Sequence, residues 1–196
     1  ASGPGPQAGV DYVYIGSIGG NSGRHALYVY RAPEPAIATG GVPFTTPLAD
    51  AVKLEMAYPG SEAYDAEALL ADGSGDLYVV TKSYAGTAKV FRYPLAAQQT
   101  PATPYTLDLV ATLEGVGPVT AGDISPGGEI VLKSYTESRL WPRPAGASVA
   151  SALGDEPCSI PHGAGEAFGF SADGSSYFTI TEGAGVPLYR FDRSAG

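Results

Sequence analysis

The chain has 196 residues, of which 44% are apolar and 16% charged, and its net charge is −9. That apolar share excludes a disordered chain, and no apolar run reaches the roughly 18 residues of a membrane-spanning helix. The 11 Lys and Arg residues are scattered, which argues against a nucleic-acid partner.

The opening Ala1-Ser2-Gly3-Pro4-Gly5-Pro6 reads as a loop, and residues 1–10 have no strand character. No Met-initiated, basic-then-apolar leader opens the chain, so a processed or truncated product is expected. The first strand-like run is Val13–Ile18. The phrase Val29-Tyr30-Arg31-Ala32-Pro33 follows, then a loop over 34–52 and an outer strand over Lys53–Tyr58. The second unit opens with an inner strand, Glu67–Ala71, and the turn Asp72-Gly73-Ser74-Gly75. It continues with Leu77–Lys82, the phrase Val90-Phe91-Arg92-Tyr93-Pro94, a loop over 95–105 and an outer strand over Thr106–Thr112. The third repeats the plan with Ala121–Ser125, the turn Pro126-Gly127-Gly128, Ile130–Tyr135 and Leu140-Trp141-Pro142-Arg143-Pro144. Ser148–Ala152 is expected to be its outer strand. The fourth has Ala167–Ser171, the turn Ala172-Asp173-Gly174, Tyr177–Glu182 and Leu188-Tyr189-Arg190-Phe191-Asp192, with no outer strand after it.

The four closing phrases start 61, 50 and 48 residues apart. β-branched and aromatic runs joined by Gly-rich hairpin turns at this period describe blades of a β-propeller. The expected fold is therefore all-β, with about four blades of about four strands each. The units fall at approximately 11–60, 61–115, 116–160 and 161–196. Either four blades close a ring, or the chain is the C-terminal part of a larger ring of about six blades. In the second case a protein partner or second chain completes the propeller, because an open arc leaves edges to cover.

Asp65 and Glu67 are two apart and share one strand face. A two-residue Gly73-Ser74 loop sets Asp65 opposite Lys82, and a loop two residues longer sets Glu67 there. Lys133-Ser134-Tyr135 echoes Lys82-Ser83-Tyr84, with Asp123 on the preceding inner strand. A three-residue loop in the last unit sets Glu166 opposite Glu182. Inner-strand ends converge on a propeller axis, so Asp65, Glu67, Asp123, Glu166 and Glu182 are expected as an acidic ring at one mouth. Such a ring suits Ca²⁺, which takes six to eight oxygens. Asp65, Glu67 and Lys82 are the candidates for acid–base catalysis. The alternative is structural: carboxylates bound to backbone N–H groups or paired with Lys82 and Lys133. His25 and His162 stand alone, outside any His-x-x-x-His pattern, which argues against a transition-metal site. Asp72–Asp76 lacks the distal Glu of a calcium loop and reads as a turn. Cys158 is the only cysteine, so no intrachain disulfide forms.

Several phrases together resemble a family of secreted, mostly bacterial β-propellers of phytase-like or esterase-like type. They are Tyr14–Asn21 with Arg24, Tyr30–Pro35, Tyr58-Pro59, Asp65–Leu70, Gly75–Lys82, Thr120–Ser125 and Gly165-Glu166-Ala167. The resemblance runs over nearly the whole chain. It implies export and further N-terminal blades. The family phrase around Gly16 carries two aspartates where this chain has Ser17 and Gly20, which removes an acidic role from that loop.

These observations predict an extracytoplasmic β-propeller acting as a ligand- or protein-binding module. A metal-assisted hydrolase of phosphoesterase or esterase type, using the axial carboxylates, is the alternative. A structural subunit of a larger assembly is the third.

Overall fold

The computed structural model describes residues 1–36, 45, 47–100 and 104–193. The first sheet holds β1 (Ser2–Pro4), β2 (Asp11–Ser17), β3 (Ala26–Pro33) and β4 (Val52–Ala57). The second holds β5 (Ala66–Ala71), β6 (Leu77–Thr81) and β7 (Thr87–Tyr93). The chain then forms α1 (Leu95–Gln99) and β8 (Tyr105–Thr106) before β9 (Asp108–Glu114) completes the second sheet. The third holds β10 (Val119–Ile124), β11 (Ile130–Ser134), β12 (Ser138–Trp141) and, after α2 (Val149–Ala152), β13 (Cys158–Ile160). The fourth holds β14 (Ala167–Phe170), β15 (Ser176–Ile180) and β16 (Leu188–Asp192). Inner strand β1 packs on β5, β5 on β10 and β10 on β14. The architecture is a four-bladed β-propeller.

The recurring phrase has a physical role. Tyr30, Phe91, Trp141 and Tyr189 sit in β3, β7, β12 and β16, the third strand of each blade. Phe91 is fully buried in the core between the first and second blades. Trp141, 2% exposed, closes the core between the second and third, and its Nε1–H donates to the Asp155 carbonyl. Tyr30 lies opposite Ile15 on the face of β3 turned away from the second blade, and the two are 43% and 53% exposed. The aromatic is thus buried in the second and third blades, while Tyr30 in the first and Tyr189 in the fourth stay 43% and 42% exposed.

Three expectations need correction. Residues 2–4 do form an inner strand, β1, because β2 offers Tyr12, Val13 and Asp11 as pairing partners. Ser148–Ala152 is not a strand. Ser148 caps α2 by accepting from the Ser151 N–H at 3.0 Å, and Ala favours the helix; the outer strand of the third blade is β13. Within 95–105, α1 forms and β8 crosses over to pair in parallel with β4, Met56 opposite Tyr105. The loop expected over 34–52 falls largely on residues outside those described.

Candidate functional site: the axial mouth

Inner strands β5, β10 and β14 start at one mouth of the propeller and end at the other. Two equivalent β-bulges shape the first mouth. Pairing jumps from Ala66↔Thr81 to Ala68↔Val80 in the second blade, and from Val119↔Ser134 to Ala121↔Lys133 in the third. A bulge leaves one residue unpaired and re-aims its side chain. Glu67 and Thr120 are those residues, and both line the same cavity of about 450 Å3.

The hairpin turn decides which carboxylate meets Lys82. The Asp72 N–H donates to the Asp76 carbonyl and the Gly75 N–H to the Asp72 carbonyl, so the loop is Gly73-Ser74-Gly75. Gly75 holds φ +85°, a conformation glycine adopts without penalty. With this three-residue loop and the bulge, Asp65 stays opposite Lys82 through its backbone, its carbonyl accepting from the Lys82 N–H. The side-chain partner is Glu67, whose Oε1 accepts from Lys82 Nζ at 2.8 Å. Asp65 Oδ1 instead accepts from the Gly20 N–H at 2.7 Å, tying the Gly16–Asn21 loop to the second blade.

Lys82 Nζ also donates to the Tyr135 hydroxyl at 2.8 Å. The ammonium lies 5.0 Å from the Tyr135 ring centre and 5.7 Å from that of Tyr84. Burial pulls the Lys82 pKa down, but hydrogen bonds to Glu67 and Tyr135 outweigh it and hold the amine above its ordinary range. The hydrogen bond from Lys82 lowers the Tyr135 pKa, while hydrogen bonds to Glu166 and Tyr84 prevail and leave it raised.

Lys133 sits one blade further round but differs from Lys82. It is fully buried, and Nζ reaches the Ser134 carbonyl at 3.0 Å and His162 Nδ1 at 3.1 Å. With Lys133 charged, its ammonium donates to the Nδ1 lone pair, which places the imidazole proton on Nε2. Burial pushes the Lys133 amine down, and the Glu166 charge partly restores it.

The expected acidic ring is only partly assembled. Glu67, Glu166 and Glu182 line one cavity. Asp65 is turned to Gly20. Asp123 lies at the other end of the axis, bordering a cavity with Pro4, Asp72 and Phe170. Its Oδ2 accepts from the Phe170 N–H and its Oδ1 from the Ile124 N–H, both at 2.9 Å, so it joins the third blade to the fourth. Burial raises its pKa, opposed by those two bonds. Glu166 does not face Glu182 across the ladder. Ala167 pairs with Ile180 because the turn holds four residues, 172–175, which sets Glu166 opposite Thr181. Among the described residues, no three His, Cys, Asp or Glu side chains come together as metal ligands. With Glu67 held by Lys82 and Asp65 by Gly20, the residues do not fit a Ca²⁺ cage. Asp72–Asp76 is a plain turn, its Asp72 Oδ1 accepting from the Ser74 N–H at 2.8 Å. Cys158 is free and exposed. Sequence reasoning did not single out Tyr84 and Tyr135; their signal was the repeated Lys-Ser-Tyr triplet.

No protein-family model matches the chain, and no curated protein matches it. Among solved structures it is similar to the PQQ-bound form of Aldose Sugar Dehydrogenase from Streptomyces coelicolor, with a TM-score of 0.44 and 13% identity. The likeness covers 90% of this chain and 60% of that one. Among the described residues, no helix is long and apolar enough to cross a membrane.

Proposed function

We propose that the chain is a non-catalytic, extracytoplasmic binding module whose contact surface is the mouth carrying Lys82, Tyr84 and Tyr135. The observation that carries this reading is the pair of exposed rings, 78% for Tyr84 and 41% for Tyr135, set around one fixed ammonium. Tyrosine offers large contact area at low entropic cost, with a hydroxyl for hydrogen bonding. Glu166 and Glu182 line the cavity beside them. Among the described residues, no Ser, Thr or Tyr hydroxyl is hydrogen-bonded to either imidazole: His25 Nδ1 meets the Glu62 carbonyl, and His162 Nδ1 meets Lys133 Nζ. The acidic balance and low Lys content support a place outside the cytoplasm. The purified protein, assayed on aryl phosphates and aryl carboxylic esters, should not exceed the buffer rate. Hydrolysis that disappears in a folded Glu67→Gln variant would replace this reading with the phytase-like or esterase-like one.

A second contact surface rests on a separate observation. Tyr30 and Ile15 on the first blade, and Leu188 on the fourth at 61% exposed, are apolar side chains on blade faces open to water. Among the described residues no hydrogen bond or ion pair joins the first sheet to the fourth. This supports a protein partner or second chain that completes the propeller. Light scattering over a concentration series should show self-association that Tyr30→Arg abolishes. A monomer at every concentration would count against a second copy as that partner.

A further inference from the structure

A different site lies at the other end of the propeller, between the second and third blades. The turn Asp72–Asp76, Gly127 and Gly128 of the next turn, and the segment 143–150 border a cavity of about 470 Å3. Arg143 forms part of its wall, with its side chain 14% exposed. It lies against Gly128, which holds φ +95°; a Cβ there would stand 3.1 Å from Nε and 3.2 Å from Nη2. Glycine therefore makes the room in which the guanidinium rests.

A guanidinium carries five N–H donors. Among the described residues, Arg143 uses one, from Nη1 to Asp72 Oδ2, at a long 3.4 Å. Asp72 has other partners: Oδ1 accepts from the Ser74 N–H, the Ser74 hydroxyl and the Asp76 N–H. A guanidinium held on a cavity wall, with most of its donors unpaired within the protein, is poised for a forked bond to an oxyanion. Arg92, held to Asp76 at 2.6 Å, adds a second cation to the wall. Val110 and Ala147, both half-buried, give the cavity an apolar side.

We propose that this inter-blade cavity binds a small organic carboxylate, its head forked on Arg143 and its apolar body against Val110 and Ala147. Asp72 and Asp76 border the site, and their charge disfavours a dianion more than a monoanion. The inference is independent of the mouth formed by Lys82 and the two tyrosines.

Isothermal titration with hexanoate, hexanamide and inorganic phosphate tests it. Hexanoate should bind, with hexanamide and phosphate each about tenfold weaker or worse. Arg143→Gln should weaken hexanoate by about tenfold or more, while Lys53→Met, at an exposed cation of the first blade, leaves it unchanged. Should Arg143→Gln unfold the protein, Ala147→Leu narrows the apolar side and should weaken hexanoate more than acetate. Absence of hexanoate binding, equal binding of hexanamide or phosphate, or affinity unchanged in the folded variants would overturn the proposal.

Discussion

The Lys82 ammonium lies 2.8 Å from the Tyr135 hydroxyl, so one hydrogen bond ties the second blade to the third across the axial mouth. The Lys82 side chain is 6% exposed and its other partner, Glu67, 29%. The three groups act as a unit, which makes their energies non-additive. Lys82→Met should cost about 1–2 kcal/mol and Tyr135→Phe about 0.5–1 kcal/mol. The double variant should cost less than the sum, by urea denaturation. Strict additivity would mean the bond contributes nothing in solution.

The aromatic of each closing phrase should report how far its blade is covered. Phe91→Ala and Trp141→Ala remove buried rings and should each cost about 3–5 kcal/mol. Tyr30→Ala and Tyr189→Ala, at 43% and 42% exposed, should cost under about 1.5 kcal/mol. Equal costs at all four positions would mean that the outer faces are covered in solution.

The Lys133–His162 contact should weaken in acid. Burial and the Lys133 charge hold His162 below its ordinary 6.5, with Glu137 opposing. As pH falls, the unfolded chain binds that proton first. The His162 contribution is therefore present above 6.5 and is lost as pH falls towards its lower folded value. Asp123 has the opposite sign: its raised pKa means the folded state protonates first, so its contribution is lost as pH rises through that value. The melting temperature should fall by a few degrees on acidification from about pH 7, and His162→Gln should flatten this limb. An unchanged slope in the variant would remove His162 as its cause.

Calcium separates the lysine-held mouth from a cation cage. Calorimetric titration should give no heat, and the melting temperature should not rise, because Lys82 already neutralises Glu67. A rise that Glu67→Gln abolishes would restore the acidic-ring reading.

The sequence carried the architecture because its phrases mark equivalent strands: Val90-Phe91 and Leu140-Trp141 point aromatics into successive inter-blade cores. It carried the ion pair between an inner-strand carboxylate and Lys82, but not which carboxylate. That depended on one extra turn residue, Gly75, and on a bulge at Glu67, neither of which alters the apolar pattern. Asp123 was placed at the wrong mouth because composition does not say at which end of a six-residue strand a carboxylate reaches the axis. The outer strand of the third blade was misplaced because Val149-Ala150-Ser151-Ala152 suits either state until the Ser148 cap is formed. Arg143 gave no separate signal, since its cavity arises only when two blades meet.

A thermal-shift screen of a small-molecule library, run in parallel on the parent chain and on Tyr84→Ala, tests the binding mouth most directly. Compounds whose effect Arg143→Gln abolishes are set aside as occupants of the other cavity. Those that remain and raise the parent's melting temperature should lose most of that effect in Tyr84→Ala, with the variant itself melting within about 2 °C of the parent. Compounds that stabilise both proteins equally would contradict the assignment of the mouth as the contact surface.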